Sequence, residues 1–549
     1  MKRKLRLISI LLALCLVLSL MGACGGKGKS SNDSASEPDT SNVDTNVDDP
    51  AKKVESTSDT IYERKTAEGT LTIGTTQPAV QQLDPANVSS VPGILLEYNT
   101  LVSIDRETGE ILPELATEWK YEDDTTLYMK IRDNVYFHNG EHLTAEDVFF
   151  TLQRIINSGS RTASSFDVYD WDKCEIINDY EFRLVTKKPT GNALNFLATF
   201  YASILCKSYV ESTGDEAFWD KPNGTGPFKL VENISGDRQI FTINENYWGE
   251  LPSFTQVTIC QYSEPTTMMI DYENGVLDVI YEMSESDAKR IMNGEVDHTN
   301  LEIVPQVREY ILCMYDLHPD LSKYEVRKAI AHAIDIQAVA DMSFGILSKP
   351  ATSHLATGVK YRIETPGWEY DPELSRQLLK EAGYNDGDIT LKLITVSAGN
   401  YPKIVEAIQA MLADVGINCI VETYDQPTAI AMMRGINNNG VPECDMGIYD
   451  MSITALDPDQ SFNTTKQGGG FALAECHDDE LYAALVEGQF SVDDETRAKA
   501  YEKVQTLLYE NVYQIPLFEG YSAVAYRDYI ASCDTGDPIH PDLTKVVFK

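Results

Sequence analysis

The spacing of apolar residues along the chain predicts strands and helices in alternation. Apolar and polar residues alternate from Thr126 to Arg132, as they do in a half-buried strand. Behind Thr144-Ala145-Glu146-Asp147, apolar residues recur at helical spacing and fall on one face. We therefore predict a strand followed by a helix whose start is a capping-box variant, with Asp147 in the position usually taken by glutamate.

In the second half of the chain, a strand, a helix and another strand follow one another closely. The predicted strands are Leu391 to Val396 and Ile417 to Thr423, and the predicted helix between them runs from Pro402 to Val415. Two strands joined by one helix form a parallel pair with a right-handed crossover. This is the building unit of an α/β layer, so we predict the α/β fold class.

Two shorter patterns in the same half predict helix starts. Ser322-Lys323-Tyr324-Glu325 has the spacing of a capping box, and Asp371-Pro372 joins an N-cap residue to a proline that suits the first helical turn. We expect a helix to begin at each of these positions.

A polar loop follows the next predicted strand, Met446 to Met451. The loop runs from Asp450 to Asp459 and brings carboxylates, hydroxyls and Pro458 directly after an apolar stretch. In α/β layers, ligands bind beside the loops at the carboxyl ends of the strands. We therefore predict that this loop borders the binding site of a small solute.

The amino terminus has the pattern of an export signal. A basic start precedes an apolar run from Leu7 to Leu20, which is short for a membrane span. Met21-Gly22-Ala23-Cys24 resembles the bacterial lipobox, so residues 1–24 are interpreted as a lipoprotein signal peptide and Cys24 as the lipid anchor. An ordinary secretory signal with an incidental cysteine and an uncleaved anchor are the alternatives.

The segment after the signal, residues 25–60, is almost without apolar residues. It is rich in Ser, Asp, Asn, Lys and Gly, and such a composition does not bury enough apolar surface to offset the entropy of ordering. We predict a disordered tether. The protein is then extracytoplasmic and lipid-anchored to the cell membrane without being embedded in it.

Composition narrows the classes of partner. The 549 residues include 85 acidic and 45 basic side chains, a formal net charge of -40. Such a surface repels phosphate backbones, so we expect no nucleic acid partner. The ten cysteines contain no CxxC pair, and His138 and His142 show no carboxylate-histidine spacing, so we expect no metal site and no cofactor.

Five stretches, in this order, resemble the family-five extracytoplasmic solute-binding proteins of ABC transporters, which include oligopeptide-, dipeptide- and nickel-binding proteins. They are "ILPELATEWKYEDDTTLYMKIRDNVYFHNGEHLTAEDVFFTLQRI" (Ile111–Ile155), "NGTGPFKL" (Asn223–Leu230), "NENYWGELP" (Asn244–Pro252), "YEVRKAIAHAID" (Tyr324–Asp335) and "LDPDQSF" (Leu456–Phe462). Together they are far more specific than any one of them alone.

The resemblance implies a two-lobed periplasmic-binding-protein-like fold of type II, in the large class with an extra subdomain. Lobe I would comprise residues 61–305 with that subdomain, lobe II residues 306–514, and residues 515–549 would return to lobe I. Two chain crossings form a hinge, and the ligand is enclosed as the lobes close. The implied partners are the transmembrane subunits of an ABC permease, and we expect a monomer.

One departure from the family pattern bears on the ligand. Peptide-binding relatives carry an aspartate for the peptide ammonium four residues before the proline that aligns with Pro458, and Thr454 stands there in this chain. Asp450 or Asp457 would then supply the charge, or another lobe would, or the ligand lacks a free ammonium. Asp459 is interpreted as shaping the turn.

Further ligand contacts are predicted in both lobes. In lobe I the loop Val80-Gln81-Gln82 precedes Leu83-Asp84-Pro85, and in peptide-binding relatives this loop faces the cleft and hydrogen-bonds the ligand backbone. In lobe II Tyr449 adjoins the polar loop and is predicted as a cleft wall. A polar surface loop and a tyrosine packed at the edge of the core are the alternative interpretations.

The function predicted from these features is capture of an oligopeptide or dipeptide for an ABC importer. A binding protein for an oligosaccharide or a nickel or other metal chelate is the alternative, together with a ligand-loaded sensor. An enzyme is the least favoured class, because the chain contains no GxSxG and no HExxH motif.

Overall fold

The computed structural model describes most of the chain from residue 52 onward. The described residues are 52–58, 60–66, 69–77, 83–87, 93–106, 108–160, 162–214, 217–436, 438, 441–462, 477–535 and 541–549. Cys24, Val80, Gln81 and Gln82 lie outside these ranges, as do the proposed signal peptide and most of the proposed tether. What was predicted for the residues outside the ranges stays a prediction. The prediction of disorder is wrong for Lys53 and Val54, which form a short strand because their backbone pairs with Glu302 and Leu301.

The first part of the described chain contains thirteen strands and seven helices. In chain order they are β1 (Lys53–Val54), β2 (Thr70–Thr75), α1 (Ile94–Glu97), β3 (Val102–Ile104), β4 (Ile111–Pro113), β5 (Ala116–Tyr121), β6 (Thr126–Ile131), α2 (Ala145–Asn157), α3 (Ala163–Phe166), β7 (Glu175–Asn178), β8 (Glu181–Val185), α4 (Ala193–Leu197), α5 (Lys207–Thr213), β9 (Phe228–Ile234), β10 (Arg238–Ile243), β11 (Gln256–Gln261), α6 (Pro265–Glu273), β12 (Val279–Ile280), α7 (Glu285–Met292) and β13 (Thr299–Met314).

The second part is richer in helices. It continues with α8 (Tyr324–Ala333), α9 (Ile336–Ser343), β14 (Ser348–Pro350), α10 (Pro372–Glu381), β15 (Ile389–Val396), α11 (Tyr401–Asp414), β16 (Ile417–Tyr424), α12 (Gln426–Met433), β17 (Met446–Ser452), α13 (Pro458–Phe462), α14 (Asp479–Gln489), α15 (Asp494–Asn511), β18 (Gln514–Arg527), β19 (Ile530–Ser532) and β20 (Val547–Phe548). No helix in the described ranges is long and apolar enough to cross a membrane.

One twelve-stranded sheet connects the two parts. Its order is β16-β15-β17-β13-β18-β12-β2-β11-β10-β9, with β1 attached to β13 and β14 to β18. The long strands β13 and β18 lie side by side in the middle and pair antiparallel, from Thr299 opposite Arg527 to Cys313 opposite Gln514. The chain therefore passes from one flank of the sheet to the other along β13 and returns along β18.

Each flank of this sheet has its own apolar core. On one side of the β15 flank, α8 and α11 pack against Leu391, Leu393 and Ile448. The β2 flank is filled by aromatic and aliphatic side chains around Leu71 and Ile73. Two cores joined by two strands provide the architecture that a bilobal protein needs.

A separate four-stranded sheet, β5-β6-β8-β7, lies within the first part of the chain. The face of α2 that carries Val148, Leu152 and Ile155 is buried in the same core as Leu127 and Met129 of β6. The strand and helix predicted at these residues are confirmed. So is the capping-box variant, because both reciprocal bonds between Thr144 and Asp147 are present.

The predicted strand-helix-strand unit is confirmed in the second part. β15 and β16 pair in parallel, with Leu391 opposite Cys419, and α11 connects them. Asp371 caps α10 as predicted, accepting a hydrogen bond of 2.9 Å from the Leu374 amide. The capping box predicted at Ser322 is wrong: the N-cap of α8 is Lys323, and no side chain caps that helix.

The central ladder is irregular where the two flanks meet. The register between β13 and β18 shifts between Pro305 and Glu309, and Val307 adopts a positive φ of 50° there. A β-branched residue rarely takes this conformation, so neighbouring contacts must hold it. One of them is the Ile453 amide, which donates a 3.1 Å hydrogen bond to the Val307 carbonyl.

A buried histidine lies near the return strand. The His354 side chain is almost fully buried, and its Nε2 is 3.4 Å from the carbonyl oxygen of Gln514, the first residue of β18. Burial disfavours the charged ring and lowers the pKa of His354 from 6.5 to about 4. The folded protein therefore binds this proton less readily than the unfolded chain does.

Replacement of His354 should weaken the dependence of stability on acid pH. Between pH 6.5 and pH 4 the unfolded chain gains the proton first, so the free energy of unfolding should fall by about 2 kcal/mol from pH 7 to pH 5 through this residue. In His354→Gln that contribution should vanish, as measured by urea unfolding at both pH values. His332→Gln, at a half-buried position, is the control, and an unchanged pH slope in His354→Gln would contradict the prediction.

Candidate functional site

Strand β17 is paired along its whole length on one edge only. β13 follows it from Met446 to Ser452, whereas β15 pairs with it at Met446 and Gly447 alone. At Asp450, Met451 and Ser452 the described structure places no ladder strand on the β15 side. This half-open end leads into the loop that the sequence predicted to border a ligand.

Asp450 is partly exposed at this end of the strand. Its Oδ2 lies 3.3 Å from Nε of Arg308 on β13, and Tyr401, the first residue of α11, donates a hydrogen bond to Oδ1. The side chains of Asp450 and Arg308 are 23% and 29% exposed, so both charges remain within reach of a ligand. Burial and the nearby Asp450 carboxylate raise the pKa of Tyr310 to about 12.

Tyr449, the next residue back, points to the opposite face of the strand. It is 5% exposed and lies in an apolar cluster with Ile311, Met433 and Ile394. Its predicted role as a cleft wall stays untested, and the ring belongs to the packing under α12 in this conformation.

Asp457 forms a buried ion pair with Arg497. The Arg497 guanidinium of α15 donates to both carboxylate oxygens, at 3.0 and 2.8 Å, and the Asp459 amide donates at 2.9 Å. Asp457 is 1% exposed, and burial raises its pKa although Arg497 acts in the opposite direction. The geometry therefore favours a structural role for Asp457 over the predicted ligand contact.

Thr454 sits in the turn between β17 and α13 and is half-buried. Its hydroxyl accepts a 3.3 Å hydrogen bond from Gln460 Nε2, and the Oε1 of the same glutamine accepts a 2.9 Å bond from the Ala455 amide. The hydroxyl is thus held in place but carries no charge. Asp459, interpreted as a turn former, lies in the first turn of α13 and is buried.

The sequence did not reveal the basic partners in this region. Arg308 precedes its partner Asp450 by 142 positions, and Arg497 follows its partner Asp457 by 40 positions. The alternation of side chains along β13 places Arg308 and Tyr310 on the same face of the strand. That Asp450 is the partner of Arg308 follows only from the register, which sets Tyr310 opposite Asp450. No group of three or more metal-ligating side chains occurs within the described ranges.

The family model for bacterial extracellular solute-binding proteins, family 5 (Middle), matches residues 110–472. The chain belongs to this family. The resemblance recognised in the sequence is therefore confirmed, and with it the two-lobed periplasmic-binding-protein-like α/β fold.

Relatives of this family-5 protein differ in the solutes that their names record. Heme-binding protein A of Haemophilus influenzae is 26% identical over 76% of this chain and 81% of its own length. Di/tripeptide-binding protein 2 of Pseudomonas aeruginosa is 25% identical over 80% and 88%. Among solved structures, NikA from Brucella suis in complex with Fe(III)-EDTA has a TM-score of 0.77 at 23% identity and covers 87% of this chain and 100% of that one. The relatives are solute-binding proteins, and their solutes are chemically diverse.

Next to the site, a buried pair of acids spans the two central strands. Glu309 of β13 lies directly opposite Glu519 of β18, at 1% and 4% exposure. Arg362 Nη2 is 3.1 Å from Glu519, whereas Oε1 of Glu309 has no hydrogen-bond partner in the described structure. Burial, and then the charge of Glu519, raises the pKa of Glu309 well above its usual value, against the opposing effect of Arg362.

Glu309→Gln should therefore stabilise the protein at alkaline pH. Below pH 4.5 the carboxyl of Glu309 is neutral in both states, and its contribution to the free energy of unfolding is fully present. This contribution is lost as the pH rises towards the higher pKa of the folded state, because the unfolded chain ionises first. The glutamine amide is uncharged at every pH and has nearly the shape of the protonated carboxyl. The free energy of unfolding of the variant should therefore exceed that of wild type by at least about 1 kcal/mol at pH 8 and by little at pH 4. Urea unfolding at both pH values measures this, with the exposed Glu118→Gln as control. A variant that is less stable than wild type at pH 8 would refute the assignment.

Proposed function

We propose that this protein is the solute-binding lipoprotein of an ABC importer, and that it captures an oligopeptide or dipeptide between its lobes for delivery to a membrane permease. The observation that carries the proposal is the half-open edge of β17 at residues 450–452. An extended peptide adds to such an edge through its backbone donors and acceptors, whatever its side chains are. The anchor at Cys24, the contacts of Val80, Gln81 and Gln82, and the lobe bounds at residues 305 and 514 belong to the same proposal.

The charge that Thr454 lacks is best supplied by Asp450. Of the two aspartates considered, Asp450 is 23% exposed and Asp457 is 1% exposed. A ligand ammonium needs a carboxylate when water is excluded. The ammonium of a bound peptide would thus compete with Arg308 for Asp450.

A second candidate is an anionic solute without an ammonium group, such as a metal chelate. Thr454 favours it, because a neutral hydroxyl binds no cation strongly, and Arg308 would bind the anionic group. The names of two relatives, which record heme and Fe(III)-EDTA, support the same class.

Native mass spectrometry of the protein as purified tests the proposal. Short peptides of mixed sequence should be released when the complex is dissociated in the gas phase, and fragmentation should identify them. Recovery of a single chelate or sugar instead would replace the peptide by the second candidate or by an oligosaccharide. Hydrolysis of an added peptide library during incubation would contradict a pure binding role.

Asp450→Asn should weaken peptide binding about tenfold or more, because the ligand ammonium loses its counter-charge. Calorimetry with a peptide identified above, and with its N-acetylated form, separates this effect from general damage. The acetylated peptide should bind wild type and variant equally, and Asp124→Asn, at an exposed position of the β5–β6 hairpin, should change neither affinity. Equal affinity of wild type and Asp450→Asn for the free peptide would exclude this role of Asp450.

A further inference from the structure

A segment between β8 and α4 packs closely against the region of α14 and α15. The Gly191 amide donates to the carbonyl of Gln489, at 3.4 Å, and the Lys188 ammonium lies 5.0 Å from the ring centre of Phe490. A Cβ atom at Gly191 would be 2.2 Å from the Ser491 carbonyl oxygen. Any larger residue at position 191 would therefore push the two segments apart.

Two asparagines, Asn192 at the end of this segment and Asn195 in α4, bind the loop that contains Thr454. Asn192 Nδ2 donates to Oδ2 of Asp459, at 2.9 Å, and Asn195 Nδ2 donates to the Ala455 carbonyl, at 3.0 Å. The two asparagines lie three positions apart, so their side chains lie on one face of α4. We call these four residues, Asn192, Asn195, Ala455 and Asp459, the asparagine clamp.

The clamp is buried, and it uses a helix-capping side chain for a contact outside its own helix. Asn192 is the N-cap residue of α4, yet its side chain makes no capping bond to that helix and instead reaches Asp459. Both asparagines are buried, at 3% and 9% exposure, and so is Asp459, at 7%. A capping position whose side chain is used elsewhere loses local helix stability, which the contact across the interface must offset.

The loop held by the clamp has a strained backbone. Leu456 adopts a positive φ of 50°, a conformation that costs free energy in a leucine and persists only where the surroundings enforce it. The Lys360 amide donates to its carbonyl at 3.1 Å, and the clamp holds the residues on either side at Ala455 and Asp459. The position of Thr454, which directly precedes the clamped residues, therefore depends on these contacts.

We propose that the asparagine clamp is a closure contact that joins the start of α4 to the loop after β17, and that Asn192 and Asn195 are positioning residues for Thr454. Asn192 and Asn195 precede β13 in the chain, and Ala455 and Asp459 lie between β13 and β18. The two hydrogen bonds are 2.9 and 3.0 Å long, so a separation of the lobes would break them, and the contact would stabilise the closed state alone. The proposal rests on the two-lobed fold and does not depend on the chemistry of the solute.

The first test needs no added ligand and is made on the full protein as purified. In Asn192→Ala/Asn195→Ala, the amides of residues 453–462 should exchange with deuterium about tenfold faster than in wild type, and the radius of gyration from small-angle X-ray scattering should increase. Exchange in β6 and β15 should stay as in wild type, which shows that the variant is folded. Asn293→Ala, at an exposed position after α7, is the matched control and should behave as wild type.

A charge exchange separates this contact from a general packing defect. Asn192→Asp places two carboxylates against each other and should speed exchange in residues 453–462 more than alanine does. Asn192→Asp/Asp459→Asn restores one amide and one carboxylate across the interface and should return exchange towards the wild-type rate. Rates in the alanine variant equal to wild type, or a double exchange no better than Asn192→Asp, would overturn the clamp, and a failed peptide assay would leave it standing.

Discussion

The antiparallel pairing of β13 and β18 is the constraint on which the rest of the structure depends. These two strands are shared by both flanks of the large sheet, so each flank is built onto the same ladder. The ladder between the two strands is irregular at two places, between Pro305 and Glu309 and between Tyr310 and Ile311. The positive φ of Val307 lies at the first of these places, and the site at the end of β17 is one strand away. The loop after β17 and the irregular part of the ladder are thus connected by hydrogen bonds.

The two aspartate–arginine ion pairs in this region differ in how far they are exposed. Asp457 and Arg497 neutralise each other in the interior, where removal of either partner would leave a buried charge. Asp450 and Arg308 make a second ion pair that remains partly exposed, and in the proposed site a ligand ammonium would compete with Arg308 for Asp450. The two aspartates thus differ in burial, and only Asp450 keeps the exposure that the proposed binding role requires.

The proposed peptide site and the asparagine clamp are complementary. A strand edge recognises backbone, which explains how such a site accepts many sequences, but an edge alone does not retain a peptide against water. Retention requires closure, and contacts such as that of Asn192 with Asp459 stabilise closure without touching the solute. Recognition and release are then governed by different residues.

Local patterns in the sequence determined the elements and the family. Alternation, helical spacing and cap residues place β6, α2, β15, α11 and β16 within one or two residues, because each signal is carried by neighbours in the chain. The error at Ser322 shows the limit of such a signal: a cap motif is a preference, and the Ser322 hydroxyl donates to the Pro319 carbonyl instead of capping α8. Only the tertiary structure decided which aspartate is exposed and which is paired, because Arg308, Arg497 and Asn192 reach the loop from distant positions. Their contacts depend on strand register and lobe closure, which no local pattern records.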